Sequence, residues 1–159
     1  MKIEERLGIL LREKGLSIAL AESCTGGLIA SRITNIAGAS DYFKAGLVVY
    51  SNQAKQRFLS VPEQSIRAHG AVSREVAEKM AEGVRAATGT DIGLSITGIA
   101  GPGGGSPEKP VGTVYIGLSA KEGTLVRKFQ FTGTRLEIKA QAATEALKFV
   151  MAFLEGRAA

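Results

Sequence analysis

Ser23 stands where the short apolar run LSIALAE (16–22) gives way to a segment of helical spacing, LIASRITNIAG, that begins at Leu28. At a strand-to-helix junction backbone N–H groups converge without partners and favour developing negative charge, so a nucleophile there has an oxyanion site beside it. Thr25, Gly26 and Gly27 follow and allow close backbone approach to a ligand, although AESCT is not the Gly-x-Ser-x-Gly pattern of a hydrolase elbow. A serine in this place is also a common helix cap. Cys24 is the competing nucleophile, and His69 is the only imidazole that could pair with it. Such a dyad would hang on one long-range contact. The simpler reading is a small buried thiol, with His69 satisfying backbone groups in the loop AHGAVS.

With histidine so placed, a serine hydrolase needs another base, and Lys55 is the candidate. It follows the strand end YSN by one helical turn, and strand C-termini are where α/β sheets gather their ligands. At its reference pKa of about 10.4 only roughly one lysine in a few thousand is neutral at pH 7, so burial or a neighbouring cation must lower that value. Tyr50, five residues earlier, could hydrogen-bond the amine or relay its proton. By spacing alone Lys55 also reads as a solvated helix charge.

Two further groups could meet an anion. The stretch GIAGPGGGSPEKPVG (98–112) offers glycine amides, with Ser106 and Lys109 beside them, suited to wrapping a phosphate or amide oxygen. It lacks the Gly-Lys-Ser/Thr ending of a P-loop and leads into a strand, not a helix, so a flexible connector is the alternative. Arg135 and Lys139 lie one turn apart at the start of the last helix and could hold an anionic group or simply face solvent.

The elements that must position these residues follow from periodicity. Ile3, Leu7, Leu10 and Leu11 mark an N-terminal helix stopped at Gly15, and strand 16–22 follows. FKAGLVVYS (43–51) has the content of a buried strand, and NQAKQRFLSV after it reads as a short helix carrying Lys55. Pro62 and Gly70 punctuate the next stretch. Ser73 can cap a helix to about Thr88 with Val76, Met80 and Val84 on its buried stripe, ended by Gly89. Strands are expected at 91–97, over TVYIGLSA and in GTLVRKFQFTG, before a final helix marked by Leu136, Ala140, Ala143, Leu147, Val150 and Leu154. Interleaved helices and strands, then a strand pair, give a three-layer α/β (α+β) domain: a mixed β-sheet flanked by helices, one domain over 1–159.

Composition bounds the function. With 45% hydrophobic and 22% charged residues, the 159-residue chain is an ordinary globular domain. One Cys and one His exclude a disulfide framework and a Cys/His zinc site within the chain. No apolar run suits a signal peptide or a membrane span, so a soluble, cytoplasmic protein without a membrane partner is expected. The net charge of +5 favours anionic partners. Aromatic residues at 6% and the lack of a recognition motif argue against nucleic acid.

Taken together, AESCTGG (21–27), GLVVYSNQAK (46–55), HGAVS (69–73) and SITGIAGPGGGSPEKPVGTV (95–114) closely resemble the CinA C-terminal domain family of nicotinamide-nucleotide amidases, in its stand-alone form. The resemblance implies hydrolysis of the carboxamide of nicotinamide mononucleotide to nicotinate mononucleotide and ammonia, with no metal and no cofactor. It implies Ser23 as nucleophile, Lys55 as base and Tyr50 as their helper. By the same resemblance the substrate would meet Thr25, Gly26, Gly27, Asn52, Thr97, Gly98, Gly101, Gly103, Gly104, Lys109, Arg135 and Lys139. The family usually carries two arginines after a Gly-Asp pair; here the pair is Gly133-Thr134 and the second arginine is Lys139, a point charge in place of a fork. A homo-oligomer, plausibly a dimer, is expected. The alternative is a non-enzymatic nucleotide-binding or regulatory module linked to competence or DNA damage.

Overall fold

A computed structural model describes residues 1–158. Among these residues the chain forms helices α1 (Ile3–Lys14), α2 (Leu28–Thr34), α3 (Asn52–Leu59), α4 (Glu63–His69), α5 (Arg74–Thr88) and α6 (Arg135–Leu154). The strands are β1 (Ile18–Glu22), β2 (Phe43–Val48), β3 (Ile92–Gly98), β4 (Thr113–Ala120) and β5 (Gly123–Gln130). They make one sheet in the order β2-β1-β3-β4-β5. β2, β1 and β3 run parallel, and β4 and β5 add as an antiparallel pair, so the sheet is mixed as expected.

The period-2 alternation of strand side chains builds both cores. Ile18 and Leu20 of β1, with Ile92, Leu94 and Ile96 of β3, pack toward Leu7 and Leu11 of α1, Ile29 and Ile33 of α2, and the long apolar face of α6. Ala19 and Ala21 point the other way, to Leu59 of α3 and Val76, Met80 and Val84 of α5. This second face is tight because its sheet residues are small. A Cβ at Gly117 would lie 2.6 Å from the Ala77 carbonyl oxygen, and the Ser95 hydroxyl donates to that same oxygen at 2.6 Å. α5 thereby lies close on the sheet and holds β3 in place.

Several boundaries depart from the sequence expectation. The run 43–51, expected as a buried strand, is an edge strand that ends at Val48, pairs only with β1 and exposes every second residue, those whose side chains fall on its uncovered face. Strand 123–133 ends at Gln130. α4 has no buried residue, so it carries no apolar stripe by which periodicity could find it. No helix among the described residues is long and apolar enough to cross a membrane.

Candidate active site

The C-terminal ends of the three parallel strands converge on one cleft of about 280 Å³. β1 delivers Ser23, whose N–H donates to the Ile96 carbonyl at 3.0 Å and so extends the β1–β3 ladder by one residue. After it the chain turns sharply: the Gly26 N–H returns to the Ser23 carbonyl, and Gly26 and Gly27 take positive φ of 60° and 102°, which a side chain would strain. α2 begins at once behind them.

β2 leads to the candidate base, Lys55. Ser51 caps α3, its hydroxyl accepting from the Ala54 N–H at 3.0 Å, so the helix starts directly beyond the strand and Lys55 falls in its first turn. Its side chain runs inward and is 1% exposed. Nζ lies 2.9 Å from Ser23 Oγ and donates to the Val49 carbonyl at 2.9 Å and the Tyr50 carbonyl at 3.3 Å. None of the ion pairs among the described residues includes Lys55. Burial without a counter-ion pushes the amine below the ordinary lysine value of 10.5, while the neighbouring Cys24 opposes that shift. Two amine hydrogens on two fixed carbonyls leave the third direction of the nitrogen to the serine. In the neutral form that direction is a lone pair able to accept the Ser23 proton.

The competing thiol is inert by environment. Cys24 is buried beside the serine, burial raises its pKa to about 12, and no imidazole reaches it. His69 sits half-exposed with Nδ1 3.8 Å from Glu75, outside the cleft.

The cleft wall includes Asn52, Thr97, Gly98, Gly101, Gly103, Gly104 and Arg135. Gly98 must lack a side chain, since a Cβ there would meet Val114 at 2.6 Å and the Thr113 carbonyl at 3.0 Å. Other candidates fall elsewhere. The Tyr50 phenol does not touch Lys55; it accepts from Arg135 at 3.0 Å, and only the Tyr50 carbonyl meets the amine, so no phenolic proton relay is present. Arg135 also donates to the Gly101 carbonyl at 2.8 Å and thus ties the β2 end to the glycine loop. The Thr25 hydroxyl turns inward to Glu22, away from any ligand. Thr97 donates to the Ala71 carbonyl at 2.9 Å. Lys109 lies off the cleft, its amine spent on the His69 carbonyl, and Lys139 does not line the cleft with Arg135; its amine stands near Gly26, close enough to Cys24 to oppose the rise of the thiol's pKa.

The residue that sequence reasoning missed is Glu22. It is 1% exposed, and its carboxylate accepts from the Gly27, Ile29 and Ala30 N–H groups and from Thr25. The expected oxyanion site at the helix N-terminus is therefore already occupied. The Cys24 and Thr25 N–H groups are left with no protein acceptor among the described residues. A glutamate closing an otherwise apolar buried run was the signal that could have marked it.

A mixed-sheet α/β domain with a serine–lysine pair at its parallel strand ends defines a class, and comparison places it. The family model for the CinA C-terminal domain matches residues 1–154, and the chain belongs to that family. A CinA-like protein of Citrifermentans bemidjiense is 54% identical over 153 residues, covering 96% of this chain and 37% of its own length. The chain thus spans little more than a third of such curated relatives. The crystal structure of the competence/damage inducible protein CihA from Agrobacterium tumefaciens superposes with a TM-score of 0.93 at 39% identity, over 96% of this chain and 93% of that one. A CinA superfamily protein from Klebsiella pneumoniae gives 0.93 at 30% identity, over 98% and 99%.

Proposed function

We propose that the protein hydrolyses the carboxamide of nicotinamide mononucleotide, giving nicotinate mononucleotide and ammonia through a nicotinoyl ester on Ser23. The observation that carries this reading is the 2.9 Å approach of Lys55 Nζ to Ser23 Oγ inside a buried site without a counter-ion. A lysine kept only for charge would not be driven inward, where ionisation is costly.

Ser23 Oγ attacks the amide carbon while neutral Lys55 takes its proton. The C–O bond forms, the carbonyl electron pair moves to oxygen, and the Cys24 and Thr25 N–H groups are the proposed oxyanion donors, with free amides of the glycine loop. The intermediate collapses as Lys55 returns the proton to the leaving nitrogen, and ammonia departs. Water, deprotonated by the same amine, then attacks the ester carbonyl, and Lys55 returns that proton to Ser23 Oγ as the acid is released. Arg135 at the cleft mouth supplies a cation for the nucleotide phosphate, with Asn52 and the glycine loop beside it. Lys139, whose amine stands near Gly26, adds positive potential beside the nucleophile turn. The reaction uses a small soluble nucleotide and fits a cytoplasmic enzyme.

Incubation with nicotinamide mononucleotide tests the reading. Equal amounts of ammonia and nicotinate mononucleotide are expected; binding of the nucleotide without release of either product would leave only the regulatory alternative.

A further inference from the structure

Glu22 is a buried carboxylate that the proposed chemistry does not consume. It belongs to β1, and its own backbone carbonyl accepts from the Val49 N–H at 2.9 Å. From that fixed base the side chain passes the nucleophile and grips the chain beyond it. Oε1 accepts from the Thr25 hydroxyl at 2.6 Å, the Gly27 N–H at 3.2 Å and the Ile29 N–H at 3.0 Å, and Oε2 accepts from the Ala30 N–H at 2.9 Å. No other side chain caps α2, whose Ncap residue is Gly27. Four donors on one carboxylate far exceed what an ordinary capping residue makes, and they come from within the turn (Thr25, Gly27) and from the first turn of α2 just beyond it (Ile29, Ala30).

We propose that Glu22 is a positioning residue for the nucleophile: it locks the Ser23–Gly27 turn in place and claims the amides that open α2. Oxyanion stabilisation is thereby left to the backbone N–H groups of Cys24 and Thr25. The inference rests on the reading of Ser23 as nucleophile. Without the carboxylate, the turn between its two ends is held only by the Gly26-to-Ser23 and Leu28-to-Thr25 backbone bonds, with Ser23 tied to Ile96 before it and Gly27 to Ser31 after it, and the amides of Gly27, Ile29 and Ala30 become competing donors. Ser23 Oγ then drifts from Lys55 and from its own oxyanion donors. A glutamine at this place keeps the volume but sets an amide N–H₂ against one of the N–H groups the carboxylate now satisfies.

The test uses two readouts on the intact chain. One is the rate at which a fluorophosphonate labels Ser23, read by peptide mass spectrometry; the serine oxygen displaces fluoride at phosphorus and its proton goes to Lys55. The other is ammonia release from nicotinamide mononucleotide. For Glu22→Gln, labelling rate and kcat are expected to fall together by about 10- to 100-fold, the scale of a displacement near 1 Å, with KM and the pH of the activity rise little changed. Folded Glu22→Gln labelling within about threefold of the wild type overturns the proposal, since misplacement of that size costs more. Should that variant not fold, Thr25→Val removes only the 2.6 Å hydroxyl bond and keeps the side-chain volume. A several-fold loss of labelling supports the proposal and an unchanged rate overturns it. Wild-type protein that labels at Ser23 but releases no ammonia refutes the amide substrate alone, and the Glu22 comparison still stands on labelling. Wild-type labelling anywhere but Ser23 overturns the Glu22 inference as well.

Discussion

At the scale of single residues the proposed chemistry depends on a buried amine. Lys55 donates to two carbonyls and has no carboxylate to stabilise its charge, so its pKa lies below 10.5 through burial. The reactive form is neutral, and kcat/KM for amide hydrolysis is therefore expected to rise with pH through the lowered lysine pKa and level off above it. The rise should fall below the pH at which free lysine titrates; a profile flat from mildly acid to alkaline pH removes Lys55 as the base. Spacing alone leaves Ser23 reading as a helix cap and Lys55 as a solvated helix charge; the family resemblance singles them out as a pair, and in the structure they meet at 2.9 Å. What spacing could not give is the direction of side chains. Tyr50 is expected at the amine, yet beyond the end of β2 its phenol turns to Arg135 and only its carbonyl meets Lys55. Thr25 was expected at substrate and instead serves Glu22.

Among the elements, α6 shows how a departure from the family pattern is absorbed. The residue before Arg135 is Thr134, whose hydroxyl accepts from the Glu137 N–H at 3.2 Å while the Glu137 carboxylate accepts from the Thr134 N–H at 2.9 Å. This capping box does the work an aspartate would do. Thr134→Asp should leave the melting temperature almost unchanged, whereas Thr134→Ala should cost about 1 kcal/mol and raise KM as Arg135 loosens from Tyr50 and Gly101. Equal melting temperatures for all three proteins would contradict this role. The long strands and helices were legible wherever an apolar period ran for several turns, as in α5 and α6. α4 was not, since none of its residues is buried, and the edge position of β2 was not, since pairing partners are decided by the rest of the sheet.

For the whole molecule, one buried amine makes folding depend on pH. Lys55 binds its proton less tightly in the folded chain than in the unfolded one. Between the two pKa values the unfolded state holds more protons, so this residue's contribution to stability rises with pH across that window and is constant below it. Unfolding by urea at neutral and alkaline pH checks this: wild type should gain on Lys55→Met as pH rises, and a constant difference would mean the amine is not perturbed by folding. The sheet order that sets this burial was visible only as a class. Interleaved helices and strands gave the three layers, but that β1 would lie between β2 and β3, bringing residues 23, 55 and 97 to one cleft, follows from packing on both faces.

The most direct measurement of the central claim is ammonia release from nicotinamide mononucleotide by wild type, Ser23→Ala and Lys55→Ala, each shown to be folded. Covalent catalysis by a serine with a lysine base predicts that both variants lose at least about 10³-fold and reach similar residual rates, because the pair acts as a unit. Ser23→Ala turning over within about tenfold of the wild type would contradict the account, since the reaction would then be carried by a group other than the oxygen to which the ester is assigned.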